Sequence, residues 1–175
     1  MKKISYQGEL GAYSHLACKE AMTDYESVPC RTFEAALNCV REEEVDLAMI
    51  PVENSVAGRV ADIHYLLGDY DLKIYAEHFQ NVKHQLLAKK GTSIDEIKFV
   101  RSHSMAIGQC QSAIQRLNLI PIVMADTAGS AKHISEIGTN EDSAIASHLA
   151  AEIYGLETLK SYIPDMKDNS TRFLI

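Results

Sequence analysis

The sequence predicts an α/β fold, with strands and helices alternating along all 175 residues. Short apolar runs bounded by turn residues alternate with segments whose apolar residues repeat at helical spacing. Each predicted strand-to-helix junction also carries small and polar residues, and neither internal repeats nor low-complexity tracts interrupt the pattern. Such alternation is the signature of helices packed on mostly parallel sheets.

Lys3-Ile4-Ser5-Tyr6 is a short strand ending at Gly8, and Tyr13 to Met22 has helical spacing. Glu26 to Arg31 is extended and broken by Pro29, as an edge strand would be. Thr32 is placed to cap a helix over Phe33 to Glu43, because Phe33, Ala36, Leu37 and Val40 fall on one face. Asp46 to Val52 is a continuous apolar run suited to a strand covered on both faces. A helix restarts over Gly58 to Leu67, and Leu72 to Phe79 and Val82 to Lys89 are long strand candidates. Lys98 to Val100 is a strand, Met105 to Leu117 a helix, Ile120 to Ala125 a strand and Thr127 to Ile137 a helix. Ser143 to Ala146 is a short strand leading to the helix Ser147 to Tyr154, which Gly155 closes as a left-handed cap. Thr171 to Ile175 is the final strand.

The formal charge of -7 argues against nucleic acid as a partner, since that binding depends on cationic contacts to phosphate. No apolar run approaches the roughly 20 residues that span a bilayer, and the opening Met1-Lys2-Lys3 leads into no secretory signal. Cys18, Cys30, Cys39 and Cys110 form no Cys-x-x-Cys motif and suit free thiols in a reducing, cytoplasmic compartment. Seven histidines lie scattered without metal-ligand spacing, so no metal is expected. Gly8-x-x-Gly11 lacks the third glycine of a dinucleotide loop, so no cofactor is expected either.

Four junctions stand out: Gly8 to Ser14, Glu53 to Gly58, Ser102 to Ser104, and Asp126 to Gly129. In open α/β sheets ligands bind beyond the carboxyl ends of strands, where helix N-termini offer N–H donors to anions. The chain end, Asp168-Asn169-Ser170-Thr171-Arg172-Phe173 preceded by Lys167, sets a hydroxyl, a permanent cation and an aromatic ring side by side. An arginine fork fits a carboxylate, a threonine can donate to a leaving hydroxyl, and the phenylalanine anchors the segment.

Taken in order, these residues resemble one family across essentially the whole chain: prephenate dehydratase. The resemblance rests on Gly8-Glu9-Leu10-Gly11-Ala12-Tyr13-Ser14-His15, Pro51-Val52-Glu53-Asn54-Ser55 with Gly58, Ser102-His103 with Gln109-Cys110, and Asp126-Thr127-Ala128. It continues through Ala144 to Ser147, Tyr154-Gly155-Leu156, and Ile163, Asp165, Asn169 and Thr171-Arg172-Phe173. Ser104, Gly129-Ser130 and Pro164 depart from the family pattern without removing a residue assigned to chemistry. Family members often continue into an ACT domain, whereas this chain stops two residues after Phe173, so the resemblance is to the catalytic domain.

The resemblance implies two α/β lobes like a type II periplasmic binding protein, with the active site in the interlobe cleft. Lobe 1 would take residues 1–76 plus 164–175, and lobe 2 residues 77–163. It implies a lyase that converts prephenate to phenylpyruvate, water and carbon dioxide in phenylalanine biosynthesis, with a homodimer as the assembly; no residue decides whether arogenate, which differs only at the keto or amino position, replaces or joins prephenate. Thr171 would donate to the leaving hydroxyl, and Arg172 would clamp a carboxylate or organise the cleft through Glu53 or Asp126. Asn54, Ser55, Gln109, Ser102, Thr127, Ala128, Ser14, Phe173 and Glu53 would surround the small anionic substrate. The rival reading is a ligand-binding module without chemistry; the Thr-Arg-Phe end together with the Glu-Asn-Ser loop separates the two.

Overall fold

A computed structural model describes residues 1–166 and 168–175; Lys167, which heads the terminal stretch, lies outside the described residues. The chain divides into two compact units. The first holds Met1–Glu9, Tyr13–Val82 and Asp168–Ile175, and the second holds Leu10–Ala12 and residues 83–166.

The first unit is built on β1 (Lys2–Gln7), β2 (Tyr25–Cys30), β3 (Leu47–Asn54), the two-residue β4 (Gly58–Arg59), β5 (Glu77–Asn81) and β11 (Ser170–Leu174). Its sheet runs β2-β1-β3-β11-β5, with β4 paired to β3. Helices α1 (Tyr13–Ala21), α2 (Phe33–Arg41) and α3 (Ala61–Leu66) complete it. Thr32 caps α2 as its sequence position predicts, its hydroxyl oxygen accepting the Ala35 N–H at 3.1 Å. Buried Ser5 ties that helix to β1 by donating to the Ala36 carbonyl at 2.8 Å. Ile4, Tyr6, Ala17, Cys18, Met49 and Phe173 form one core cluster, and Ala36, Leu37, Ala48, Ile50, Val52 and Ile63 form another.

The second unit carries β6 (Gln85–Ala88), β7 (Phe99–Ser102), β8 (Ile120–Val123), β9 (Asp142–Ala146) and β10 (Glu157–Lys160) in the order β10-β6-β9-β7-β8. Strand β9 sits between β6 and β7 and is buried along its whole length. Its helices are α4 (Ser104–Gln109), α5 (Gln111–Arg116), α6 (Thr127–Ile137) and α7 (His148–Tyr154). Gly155 ends α7 in the left-handed region, φ 64° and ψ 31°, as expected of a glycine cap. Gly11 is required for a different reason: besides its φ of +87°, a Cβ there would sit 2.7 Å from the Cα of Ala150.

Several expectations need correction. The sheets are mixed: β1 pairs in parallel with β2 and β3, but β11 runs antiparallel to both β3 and β5, and β6 antiparallel to β9 and β10. A strand that returns from far along the chain can enter a sheet in either direction, and strand-helix alternation does not encode which. Residues 77–82 belong with the first unit rather than opening a second lobe at 77, because β5 pairs with β11. Residues 164–166 correspondingly fall in the second unit. The strand expected over Leu72 to Phe79 begins only at Glu77, and the helix expected from Gly58 begins at Ala61 after β4. The helix expected over Met105 to Leu117 is broken at Cys110, whose φ of -123° and ψ of 22° leave the helical region. Asp165 satisfies the break from far along the chain. Its N–H donates to the Gln109 carbonyl at 2.7 Å, and its carboxylate accepts the Ser112 N–H at 3.1 and 3.2 Å.

Candidate active site

In the first unit, polar residues converge where β3 ends and β11 begins. The antiparallel register sets Thr171 opposite Asn54 and Arg172 opposite Glu53, with a bulge between Arg172 and Phe173. Asn54 is the hub. Its side-chain oxygen accepts the N–H groups of Val56 (3.0 Å) and Ala57 (2.8 Å), which fixes the amide orientation. Its NH2 group therefore faces the last strand, 2.8 Å from Asn169 Oδ1, 3.1 Å from the Ser170 carbonyl and 2.9 Å from Thr171 Oγ1. Ser55 closes the loop from the other side: its hydroxyl donates to the Asp168 carbonyl at 3.0 Å and lies 3.0 Å from the Ser170 N–H that it accepts.

The consequence for Thr171 is chemical. An amide nitrogen can only donate, so Thr171 Oγ1 accepts from Asn54 and keeps its own hydrogen for another acceptor. Among the described residues none accepts that hydrogen. Thr171 is 9% exposed, so its hydroxyl is held in a largely dehydrated setting. A hydrogen bond given there is stronger than one given in open water.

Strand alternation places Arg172 on the opposite face. Its guanidinium meets Glu77 of β5, with Nε and a terminal nitrogen 2.9 and 2.8 Å from the same carboxylate oxygen. Neither Glu53 nor Asp126 is the partner expected from sequence: exposed Glu53 is directly across the strand, and Asp126 accepts the Gly129 N–H as the cap of α6. Phe173 is 1% exposed in the core cluster with Ile4, Tyr6 and Met49. There it anchors β11 from within the core. Ser14 lies buried on the first turn of α1.

The second unit treats its predicted residues differently. Ser102 is fully buried and its hydroxyl donates to the Ile145 carbonyl at 2.7 Å, so it stitches β7 to β9 and has no hydrogen left for a ligand. The Ala128 methyl is also fully buried, which leaves only its main chain in the first turn of α6 to offer chemistry. Thr127, partly exposed, opens that helix. Gln109 ends α4 with its side-chain oxygen 2.9 Å from Nε2 of His84. His84 is 3% exposed, and burial pushes its pKa down to about 4 against the opposing effect of Gln109. Sequence reasoning missed His84, because a lone histidine between two strands carries no spacing signal.

His103 is structural: its Nδ1 accepts the Met105 N–H at 3.3 Å and caps α4. Cys110 is fully buried, and burial, then the charge of Asp165, raises its thiol to about 12, which suits packing and not attack. All four cysteines are free, with Cys30 and Cys39 sulfurs 4.0 Å apart. Among the described residues no group of three or more His, Cys, Asp or Glu side chains comes together to hold a metal. Nor is any described helix long and apolar enough to cross a membrane.

Comparison with known proteins bears on this arrangement. The bifunctional N-acyl-homoserine lactone acylase/prephenate dehydratase of Komagataeibacter europaeus is 44% identical over 172 residues, covering 98% of this chain and 61% of that protein. Arogenate dehydratase/prephenate dehydratase 2 of Arabidopsis thaliana, a chloroplastic protein, is 40% identical over 99% of this chain and 45% of its own length. The structure of prephenate dehydratase from Arthrobacter aurescens in complex with L-Phe superimposes with a TM-score of 0.90 at 29% identity, covering 98% of this chain and 59% of that one. Immunogenic lipoprotein A of Vibrio vulnificus shares the fold alone, at a TM-score of 0.50 and 11% identity over 98% of this chain and 85% of its own. The chain thus spans less than two thirds of the length of its curated relatives. A family model described as prephenate dehydratase matches residues 4–175, and on that match this chain belongs to the prephenate dehydratase family.

Proposed function

We propose that this chain catalyses the decarboxylating dehydration of prephenate to phenylpyruvate in phenylalanine biosynthesis. The observation that carries the reading is the Asn54 amide on Thr171 Oγ1, which leaves the threonine as a hydrogen-bond donor. The reaction breaks the ring carbon–carboxylate bond, sends that electron pair into the ring, and expels the ring hydroxyl. One proton is taken up, so the dianion yields phenylpyruvate, carbon dioxide and water. Aromatisation makes it downhill, and no cofactor is needed. The enzyme has to orient two carboxylates and assist a poor leaving group. Thr171 donates to that departing hydroxyl; it does not ionise, and its bond strengthens as the C–O bond breaks.

Asn54 and Ser55 act one step back from the substrate in this reading, by holding β11, while Gln109 is the neutral donor that binds a carboxylate without opposing its departure as carbon dioxide. Thr127 and the Ala128 N–H supply further donors, and Ser14 borders the substrate. Arg172 supplies positive charge to an anionic ligand, moderated by Glu77 and by Glu53 across the strand. Exposed Phe79 on the edge strand β5, with Tyr75 and Ile74 just before it, supports a homodimer, which light scattering would test. The four free thiols support a cytoplasmic setting.

The test is to incubate the purified chain with prephenate and, separately, with arogenate, and to follow phenylpyruvate and phenylalanine. Turnover of prephenate supports the proposal, whereas turnover of arogenate alone would keep the decarboxylating dehydration and replace the substrate. Binding of prephenate without turnover would replace it with the binding-module reading. The Komagataeibacter europaeus relative is named for a second activity and matches 98% of this chain, so an N-acyl-homoserine lactone belongs in the same assay.

A further inference from the structure

We propose that His84 is a positioning residue for Gln109, fixing which end of its amide is turned toward the ring and which is presented as a donor. The inference rests on the reading that Gln109 binds a substrate carboxylate. His84 lies between β5 and β6, 3% exposed, with Nε2 at 2.9 Å from Gln109 Oε1. In this proposal the hydrogen sits on Nε2, because the amide oxygen that faces it only accepts. Burial keeps the imidazole neutral well below pH 7, so the contact is an ordinary N–H donor to an oxygen and brings no positive charge near Gln109. With its oxygen on the ring side, the amide has its NH2 on the side turned away from the ring.

A glutamine amide left to itself rotates between two orientations that differ little in shape and oppositely in charge distribution. Turned the wrong way, its oxygen would meet a carboxylate and repel it. The backbone shows that the pairing is built. Ile163 N–H donates to the His84 carbonyl at 3.0 Å, and Asp165 N–H donates to the Gln109 carbonyl at 2.7 Å. One three-residue segment, Ile163 to Asp165, therefore holds the main chains of both partners while their side chains meet. The Asp165 carboxylate, by capping Ser112, also holds the helix break immediately after Gln109.

The test is a double-mutant cycle on kcat/KM with prephenate, using His84→Leu, Gln109→Ala and the pair. His84→Leu is expected to lower kcat/KM by about 10- to 100-fold, the scale of a misdirected hydrogen bond to a charged group. In the Gln109→Ala background the same change should cost less than about twofold. His84→Gln, whose amide nitrogen reaches the place of Nε2, should recover most of the loss. An equal fall with and without Gln109, or no rescue by a folded His84→Gln protein, would show that His84 only packs and would overturn the proposal. Nitrogen NMR of the wild-type ring at pH 7 gives a readout that needs no turnover: the Nε2–H tautomer is expected, and an Nδ1–H or doubly protonated ring would overturn the assignment. Loss of all activity in the wild type, with the Nε2–H tautomer present, would instead count against the proposed reaction.

Discussion

The two units handle polar side chains in opposite ways. In the first, Asn54, Ser55, Asn169, Ser170 and Thr171 converge on the junction of β3 and β11, and the bonds among them leave one hydroxyl hydrogen without a described acceptor. In the second, most are distributed along the sheet and closed off. Ser102 donates to Ile145, Ser143 donates to Phe99 at 2.7 Å, and Ser147 donates to Gly11 at 2.6 Å. A satisfied buried polar group specifies a fold, whereas one with unused capacity can meet a ligand.

Thr171→Ala is the hardest test of that contrast. Losing the donor should reduce kcat by about 10²–10⁴-fold, or roughly 3–5 kcal/mol of barrier, while Thr171→Ser retains activity within about tenfold. Near-full kcat in the alanine variant would mean that the converging network has no chemical purpose. Asn54→Asp comes next. A carboxylate in place of the NH2 group cannot donate to Thr171, so kcat should fall about 10²–10³-fold, as when an oriented donor is lost. Unchanged kcat in a folded Asn54→Asp protein would separate Thr171 from its supposed organiser.

Acid sharpens the comparison from the side of the second unit. His84 has its pKa depressed by burial to about 4, below the ordinary histidine value of 6.5. The unfolded chain therefore binds the proton first as pH falls, so the stability contributed by neutral His84 is complete above about pH 6.5 and is lost between there and pH 4. At about 1.4 kcal/mol per unit the loss is on the order of 3 kcal/mol. His15 in the first unit, also lowered by burial and then by Lys19, contributes with the same sign. Thermal unfolding of wild type and His84→Gln between pH 7 and 4 should show a smaller fall in the variant.

Ser102→Ala should cost about 1 kcal/mol of stability by chemical denaturation and leave kcat/KM within about twofold, because its hydrogen bond belongs to the sheet. A large kinetic effect with little change in stability would return Ser102 to the substrate. Smallest is Glu77→Gln: its pair with Arg172 is exposed on both sides, 44% and 48%, and should contribute under about 1 kcal/mol. A rise in KM for prephenate on replacing Arg172 with Ala, with KM unaffected in Glu77→Gln, would assign the cation to the ligand.

Much of the fold was legible. The apolar run at Asp46 to Val52 became β3, Thr32 capped α2, Gly155 closed α7, and Thr171 to Ile175 returned as a strand of the first unit. These features depend on near neighbours in the chain, so periodicity and residue type suffice. The same holds for the motif residues around Asn54 and Thr171, whose order along the chain marked them as a set. Less legible were the direction of returning strands, the small edge strand β10 and the break at Cys110. Nothing near Cys110 in sequence explains the break, since its missing contacts come from Asp165.

The sequence by itself determined the α/β class, the family and the residue types available at the site, because each follows from local pattern or from ordered motifs. Tertiary structure alone decided what those residues do. Strand register put Thr171 against Asn54 and turned Arg172 to the other face, the core claimed Phe173, and a distant carbonyl claimed the Ser102 hydroxyl. A hydrogen bond joins atoms within about 3 Å whatever their separation in the chain, so the use made of each donor is settled only when the fold brings its acceptor to it.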